Sequence, residues 1–146
     1  MGCKMDERQL DLLIREGEGL RVEFKERYTS RIAQDIVAFS NAKGGIILIG
    51  VRDDKTIRGT KLDGKLKAQI VDLGHNCDKS IEVTVSQIGD VVVVEVPEGN
   101  EKVYSCRDGP YRRLDGVTQK MTQEEVRVMF AENDPVPYEE KPVKGL

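Results

Sequence analysis

The 146-residue chain has no tryptophan, a single histidine (His75), three cysteines and only 5% aromatic residues. Cys3, Cys77 and Cys106 are an odd number of thiols and make no disulfide framework, which suits a reducing compartment. No apolar run approaches the roughly 20 residues that a bilayer crossing needs. The opening stretch, Met1-Gly2-Cys3-Lys4-Met5-Asp6-Glu7-Arg8, lacks the apolar middle of a signal peptide. Membrane association and secretion are therefore not expected, and the expected location is the cytoplasm. Positive charge is also short: 23 Lys+Arg stand against 26 Asp+Glu, a net charge of −3.

What is present suits one domain with a core and a charge-laced surface, since 38% of residues are hydrophobic and 34% charged. Two full domains do not fit. The acidic total conceals an uneven spread: residues 31–70 carry +4 and 101–120 carry +2, whereas 71–100 carry −5 and 121–146 carry −3. The field of a protein acts locally and is screened within about 8–10 Å. A polyanion would therefore respond to whether the basic segments share a face, not to the sum.

Periodicity divides the chain into short elements. Leu10, Leu13 and Ile14 at helical spacing predict a helix over 6–16, with Asp6 as its cap and Gly17 as its stop. Leu20 to Lys25 alternates as a half-buried strand, with Glu23 and Lys25 on one side. Ser30 is the expected cap of a second helix ending near Asn41, with Ile32, Ile36, Val37 and Phe39 as its apolar stripe. After Lys43-Gly44-Gly45, the unbroken run Ile46 to Val51 predicts a central strand covered on both faces. Residues 62–74 predict a third helix, 81–86 and 91–96 a hairpin about Gly89-Asp90, and 103–105 and 111–114 short strands about the turn 107–110. Thr122 with Glu125 forms a capping box for a last helix to about Ala131, and the proline-containing residues 133–146 read as a tail or linker. The order implies a single-domain α/β (α+β) sandwich: a mixed β-sheet flanked by helices.

Four constellations have chemical potential. Glu18 and Glu23 around the first strand, with Asp53 and Asp54 after the central one, are carboxylates at strand ends. Such groups can hold a hard divalent cation at a scissile phosphate, or form a charged sheet face and a turn pair. Gly44-Gly45 permits positive φ and close backbone approach, either to a phosphate or simply within a turn; it follows a helix and is no Walker loop. Arg52, Lys55, Arg58, Lys61, Lys65 and Lys67, then Arg107, Arg112, Arg113 and Lys120 beside Tyr104 and Tyr111, can combine phosphate contacts with base stacking or remain solvated. Finally His75, Cys77 and Cys106 are zinc-ligand types, but a structural site takes four, so Cys3, an acid or a water would have to complete it. The alternative is one exposed histidine and two small thiols.

Glu23-Phe24-Lys25, the continuous stretch Ala38 to Val51, Asp53, Ile57-Arg58-Gly59, Val94-Glu95-Val96-Pro97 and Tyr111-Arg112-Arg113 before a final helix form one ordered series. In this the chain resembles the Schlafen AlbA-like DNA-binding domain family, over nearly its whole length. The resemblance implies a nucleic-acid-binding module over 1–132, in a stand-alone prokaryotic version of the transcriptional-regulator type that forms a homodimer. It implies contact with DNA or RNA through Lys25, Lys43, Arg52, Arg58, Arg107, Tyr111, Arg112, Arg113 and Lys120. Nuclease-active Schlafens cut transfer RNA with a Glu pair, an Asp and a divalent metal. The similar positions are Glu18, Glu23 and Asp53, which makes a Mg2+- or Mn2+-dependent endoribonuclease the alternative function. His75, Cys77 and Cys106 are similar to the family's zinc (Zn2+) site, with Ser105 where a second adjacent cysteine is expected. A third reading, from charge alone, is a protein-interaction or ligand-sensing domain.

Overall fold

The computed structural model describes residues 5–133. Its central sheet has four strands: β1 (Val22–Lys25), β2 (Gly45–Ile49), β3 (Thr84–Ile88) and β4 (Val91–Val96), in the order β1-β2-β4-β3. Strands β1 and β2 are parallel, joined by the crossover helix α2 (Ile32–Ser40), while β2–β4 and β3–β4 are antiparallel. The mixed sheet and single small α+β domain are as expected from the element order.

Side-chain alternation on the two inner strands builds two apolar layers. Ile47, Ile49, Val92, Val94 and Val96 point to one face, where they meet Ile32, Ile36, Val37 and Phe39 of α2 and Ile70 of α3 (Gly64–His75). Leu48, Val91 and Val93 point to the other, where α1 (Glu7–Glu16) lays Leu10 and Ile14 over them. Val91 to Val94 are fully buried because this strand is covered on both sides, and each such side chain contributes about 1.5–3 kcal/mol relative to exposure. The edge strand β1 differs. Val22 and Phe24 join the α1 layer, which turns Glu23 and Lys25 to the α2 side.

Local chemistry explains the element ends. Asp6 and Gln9 form a reciprocal capping box on α1, Asp63 caps α3, and Thr122 with Glu125 caps α4 (Gln123–Glu132). Helix α2 begins after Arg31, whose side chain makes no capping bond; Ser30 is not the cap, and Thr29 Oγ1 instead accepts from Arg31 N–H at 3.3 Å. The double glycine serves the fold. Gly44 has φ +83° and donates to Phe39 O at 2.8 Å, and a Cβ on Gly45 would lie 2.3 Å from the Phe39 ring.

Two expectations change. The strand read at 103–105 reduces to an isolated bridge, Asp78 with Ser105. The partner of β5 (Tyr111–Leu114) is instead β6 (Val117–Lys120), reached through the tight turn Asp115-Gly116, where both residues have positive φ. The tail expected at 133–146 lies outside the described residues from 134 onward, and Asn133 ends α4. No described helix is long and apolar enough to cross a membrane.

Candidate functional site

The β5–β6 hairpin packs across α2, next to the polar side of β1. Arg113 anchors it there. Its side chain is 1% exposed, donates to Glu23 Oε1 at 2.7 Å, and lies over the Phe39 ring at 4.5 Å. It also donates to the carbonyls of Gly19, Val22 and Gly116. Arg113 Nη1 further donates to Thr118 Oγ1 at 2.9 Å, and that hydroxyl donates to Asp35 Oδ1 at 2.7 Å. Lys25 Nζ lies 3.3 Å from Asp35 and 3.5 Å from Glu23, which closes a ring of five side chains. Two cations meet two carboxylates in it, so the ring is formally neutral.

Four members of the ring, Glu23, Lys25, Asp35 and Thr118, form the floor of a cleft of about 500 Å3, whose walls include Glu18, Thr29, Arg31, Gln34, Gly116 and Val117. Glu18 curls back along the edge strand, where one carboxylate oxygen accepts from Phe24 N–H at 2.9 Å. Burial raises the Asp35 carboxyl above its ordinary value, and Lys25 and Thr118 offset this only in part. Burial alone would depress Lys25, but the Asp35 and Glu23 carboxylates outweigh it and raise its pKa.

The mouth of the cleft is charged differently. Gln34 Nε2 donates to Asp108 Oδ2 at 3.2 Å, tying the turn 106–109 to the wall. Arg107 is exposed on that turn, Lys120 lies across from Tyr111 with its stem over Gly109, and exposed Arg31 lines the cleft. Burial and Asp108 push the Tyr111 phenol up, with Arg31 close enough to pull it the other way. Arg31 makes no ion pair among the described residues.

The sites read from the sequence are thus redistributed. Glu18, Glu23 and Lys25 line one cleft, while Asp53 sits on the exposed turn after β2 and does not line it. Both Glu23 oxygens already face cations, and among the described residues no three carboxylate, imidazole or thiol groups converge to hold a metal. Arranged in this way, Glu18, Glu23 and Asp53 do not fit Mg2+ or Mn2+. The zinc set does not fit either. His75 Nε2 faces Glu82 at 2.9 Å, Cys77 Sγ donates to Leu73 O at 3.2 Å, and only Cys77 and Cys106 are neighbours. Burial first, then Cys106, pushes the Cys77 thiol from 9.0 up to about 12, and burial also raises Cys106.

Of the expected nucleic-acid contacts, Arg113 is interior, Lys25 belongs to the ring and Arg112 is held by Glu125. Arg52 and Arg58 share Glu26 at 3.4 and 3.9 Å, and Lys43 lines a separate groove beside Arg21, Glu95 and Glu98. Arg107, Tyr111 and Lys120 remain at the mouth. Arg31, Asp35 and Thr118 were missed. Asp35 had a signal, an acid set inside the apolar run of α2; Thr118 had none without β6.

The family model for "Schlafen, AlbA_2" matches residues 18–122, a span that includes the cleft walls, the floor and the whole hairpin. The chain belongs to that family. Membership connects this AlbA_2 domain with a nucleic-acid-related role. No curated protein matches the chain. Among solved structures it is similar to the DIP2311 protein from Corynebacterium diphtheriae, with a TM-score of 0.60 and 16% identity. That match covers 86% of this chain and 27% of the other, so the AlbA_2 domain spans about a quarter of that protein's length, and at this identity the likeness is one of fold.

Proposed function

We propose that the chain is a nucleic-acid-binding module that holds the phosphate backbone at the mouth of the cleft with Arg31, Arg107 and Lys120, beside Tyr111 as a surface for a base. The observation that carries this reading is that exposed Arg31 lines the cleft, the turn bearing Arg107 is tied to the cleft wall through Gln34 and Asp108, and the Tyr111–Lys120 pair of the hairpin lies against that turn, with the cations of the floor already neutralised. Arginine and lysine position a nucleic acid through its phosphates, and an aromatic face is tolerant of base identity. Family membership supports the same reading. Its finer form is DNA binding in transcriptional regulation by a cytoplasmic homodimer, in which two rims offset the acidic total of the single chain.

Gel-shift titrations of duplex DNA, single strands and transfer RNA test it. The logarithm of affinity is expected to fall linearly with the logarithm of salt concentration, by about 0.9 per phosphate neutralised on duplex DNA. Absence of any shift at low salt, or an affinity indifferent to salt, overturns the reading. Running the transfer RNA samples with and without Mn2+ separates binding from cleavage. Cutting lost in Glu23→Ala would return the nuclease reading to first place.

A further inference from the structure

The bridge between Asp78 and Ser105 is antiparallel, with Asp78 N–H donating to Ser105 O at 2.8 Å. Residues 77 and 106 are the next positions outward in that antiparallel register. In this chain both are cysteines. The Cys106 thiol is near enough to push the Cys77 thiol up, and where an antiparallel register continues past a hydrogen-bonded pair the flanking Cα atoms lie about 4.5 Å apart. A disulfide needs about 4.4–6.8 Å. The two thiols make only weak bonds now, to Leu73 O and Gly109 O, and His75 is turned to Glu82.

We propose that Cys77 and Cys106 are a modification site that closes to a reversible intramolecular disulfide, with a low-molecular-weight disulfide such as oxidised glutathione as the oxidant. Cys106 is half-exposed and Cys77 buried, which sets the order of events. The Cys106 thiolate, its proton lost to water, attacks one sulfur of the oxidant, whose S–S bond breaks and releases one small thiolate. Cys77 then gives up its proton and attacks the Cys106 sulfur, releasing the second. Two protein thiols are oxidised and one small disulfide is reduced to two thiols, each taking up one proton. The new bond would join the end of α3 to the turn that bears Arg107.

The test uses the full chain with Cys3→Ser, so that only the two thiols in question remain. After incubation with oxidised glutathione and digestion without reductant, mass spectrometry is expected to find the Cys77 and Cys106 peptides joined, at the cost of two hydrogens. Dithiothreitol is expected to reverse the link, and the oxidised form to unfold at a higher temperature than the reduced one. In Cys77→Ser the glutathione adduct is expected to accumulate on Cys106. No reaction, an adduct that persists on Cys106 while Cys77 stays free, or dimers linked through Cys106 overturns the proposal. The peptide map of the Cys3→Ser chain decides this even where Cys77→Ser fails to fold. Nucleic-acid binding has no part in the readout, so failure here leaves that reading where it stood.

Discussion

The floor and the mouth of the cleft are built from the same residue types and differ in how their charges are used. On the floor Lys25, Arg113, Glu23 and Asp35 neutralise one another through Thr118, with Arg113 almost fully buried. At the mouth Arg31, Arg107 and Lys120 are exposed on three different elements. A charge that is already paired and desolvated holds structure together, whereas one left in water is available to a partner. Adjacent arginines in the Tyr-Arg-Arg run illustrate this: Arg112 points to Glu125, Arg113 to the interior, and neither is free for a phosphate.

The largest expected effect comes from breaking the floor. Arg113→Ala leaves Glu23 without its main partner and takes a donor away from the carbonyls of Gly19, Val22 and Gly116, and removing one member of a buried ion pair costs about 3–5 kcal/mol. Urea denaturation is expected to show that loss. Arg113→Lys is expected to recover little of it, because an ammonium cannot reproduce the planar fork that serves several acceptors at once. A variant as stable as the wild type would mean that the ring is an ornament of the hairpin and not its anchor.

Breaking the mouth gives the opposite pattern. Arg31→Ala, Arg107→Ala and Lys120→Ala are each expected to change stability by no more than about 0.5 kcal/mol. Combined, they are expected to weaken nucleic-acid binding and to flatten its salt dependence by about 0.9 for each duplex phosphate that is no longer neutralised. If the triple variant unfolds early but binds as before, the assignment of roles to the two regions is reversed.

How far each region could be read in the sequence follows from the range of its interactions. Capping is local, so Asp6, Gly17 and the Thr122–Glu125 box were legible, as was the β3–β4 hairpin about Gly89-Asp90. The glycine pair was legible as a turn, although only packing shows that the Phe39 ring excludes a side chain at Gly45. The ring was not legible, since Glu23 and Arg113 are 90 residues apart and no periodicity links them. Strand β6 was missed although Asp115-Gly116 is a hairpin signal, because Val117 is its only strongly apolar residue and it is exposed. Without β6 there is no Thr118 beside Asp35, and a buried acid in α2 has no apparent purpose.

The smallest expected effect is a change of pH profile in Asp35→Asn. Burial holds the Asp35 carboxyl above the 3.8 at which it titrates in the unfolded chain. Between that value and its higher folded one, the native state keeps a proton that the unfolded state has lost. Stability contributed by this group is therefore full at lower pH and declines as the pH rises through the window. Lys25 titrates above 10.5 in the fold, so its contribution is complete below 10.5 and is lost as the pH climbs through the folded value. Asparagine cannot ionise, and it removes the larger of the two attractions that hold Lys25 charged. Asp35→Asn is thus expected to lose the acid-side decline and to begin its alkaline loss of stability at lower pH than the wild type, both measured by urea denaturation across a pH series. An unchanged acid limb would show that the buried carboxyl is hydrated in solution. An unchanged alkaline limb would show that Glu23 alone secures Lys25, and the floor would then be two separate pairs instead of one ring.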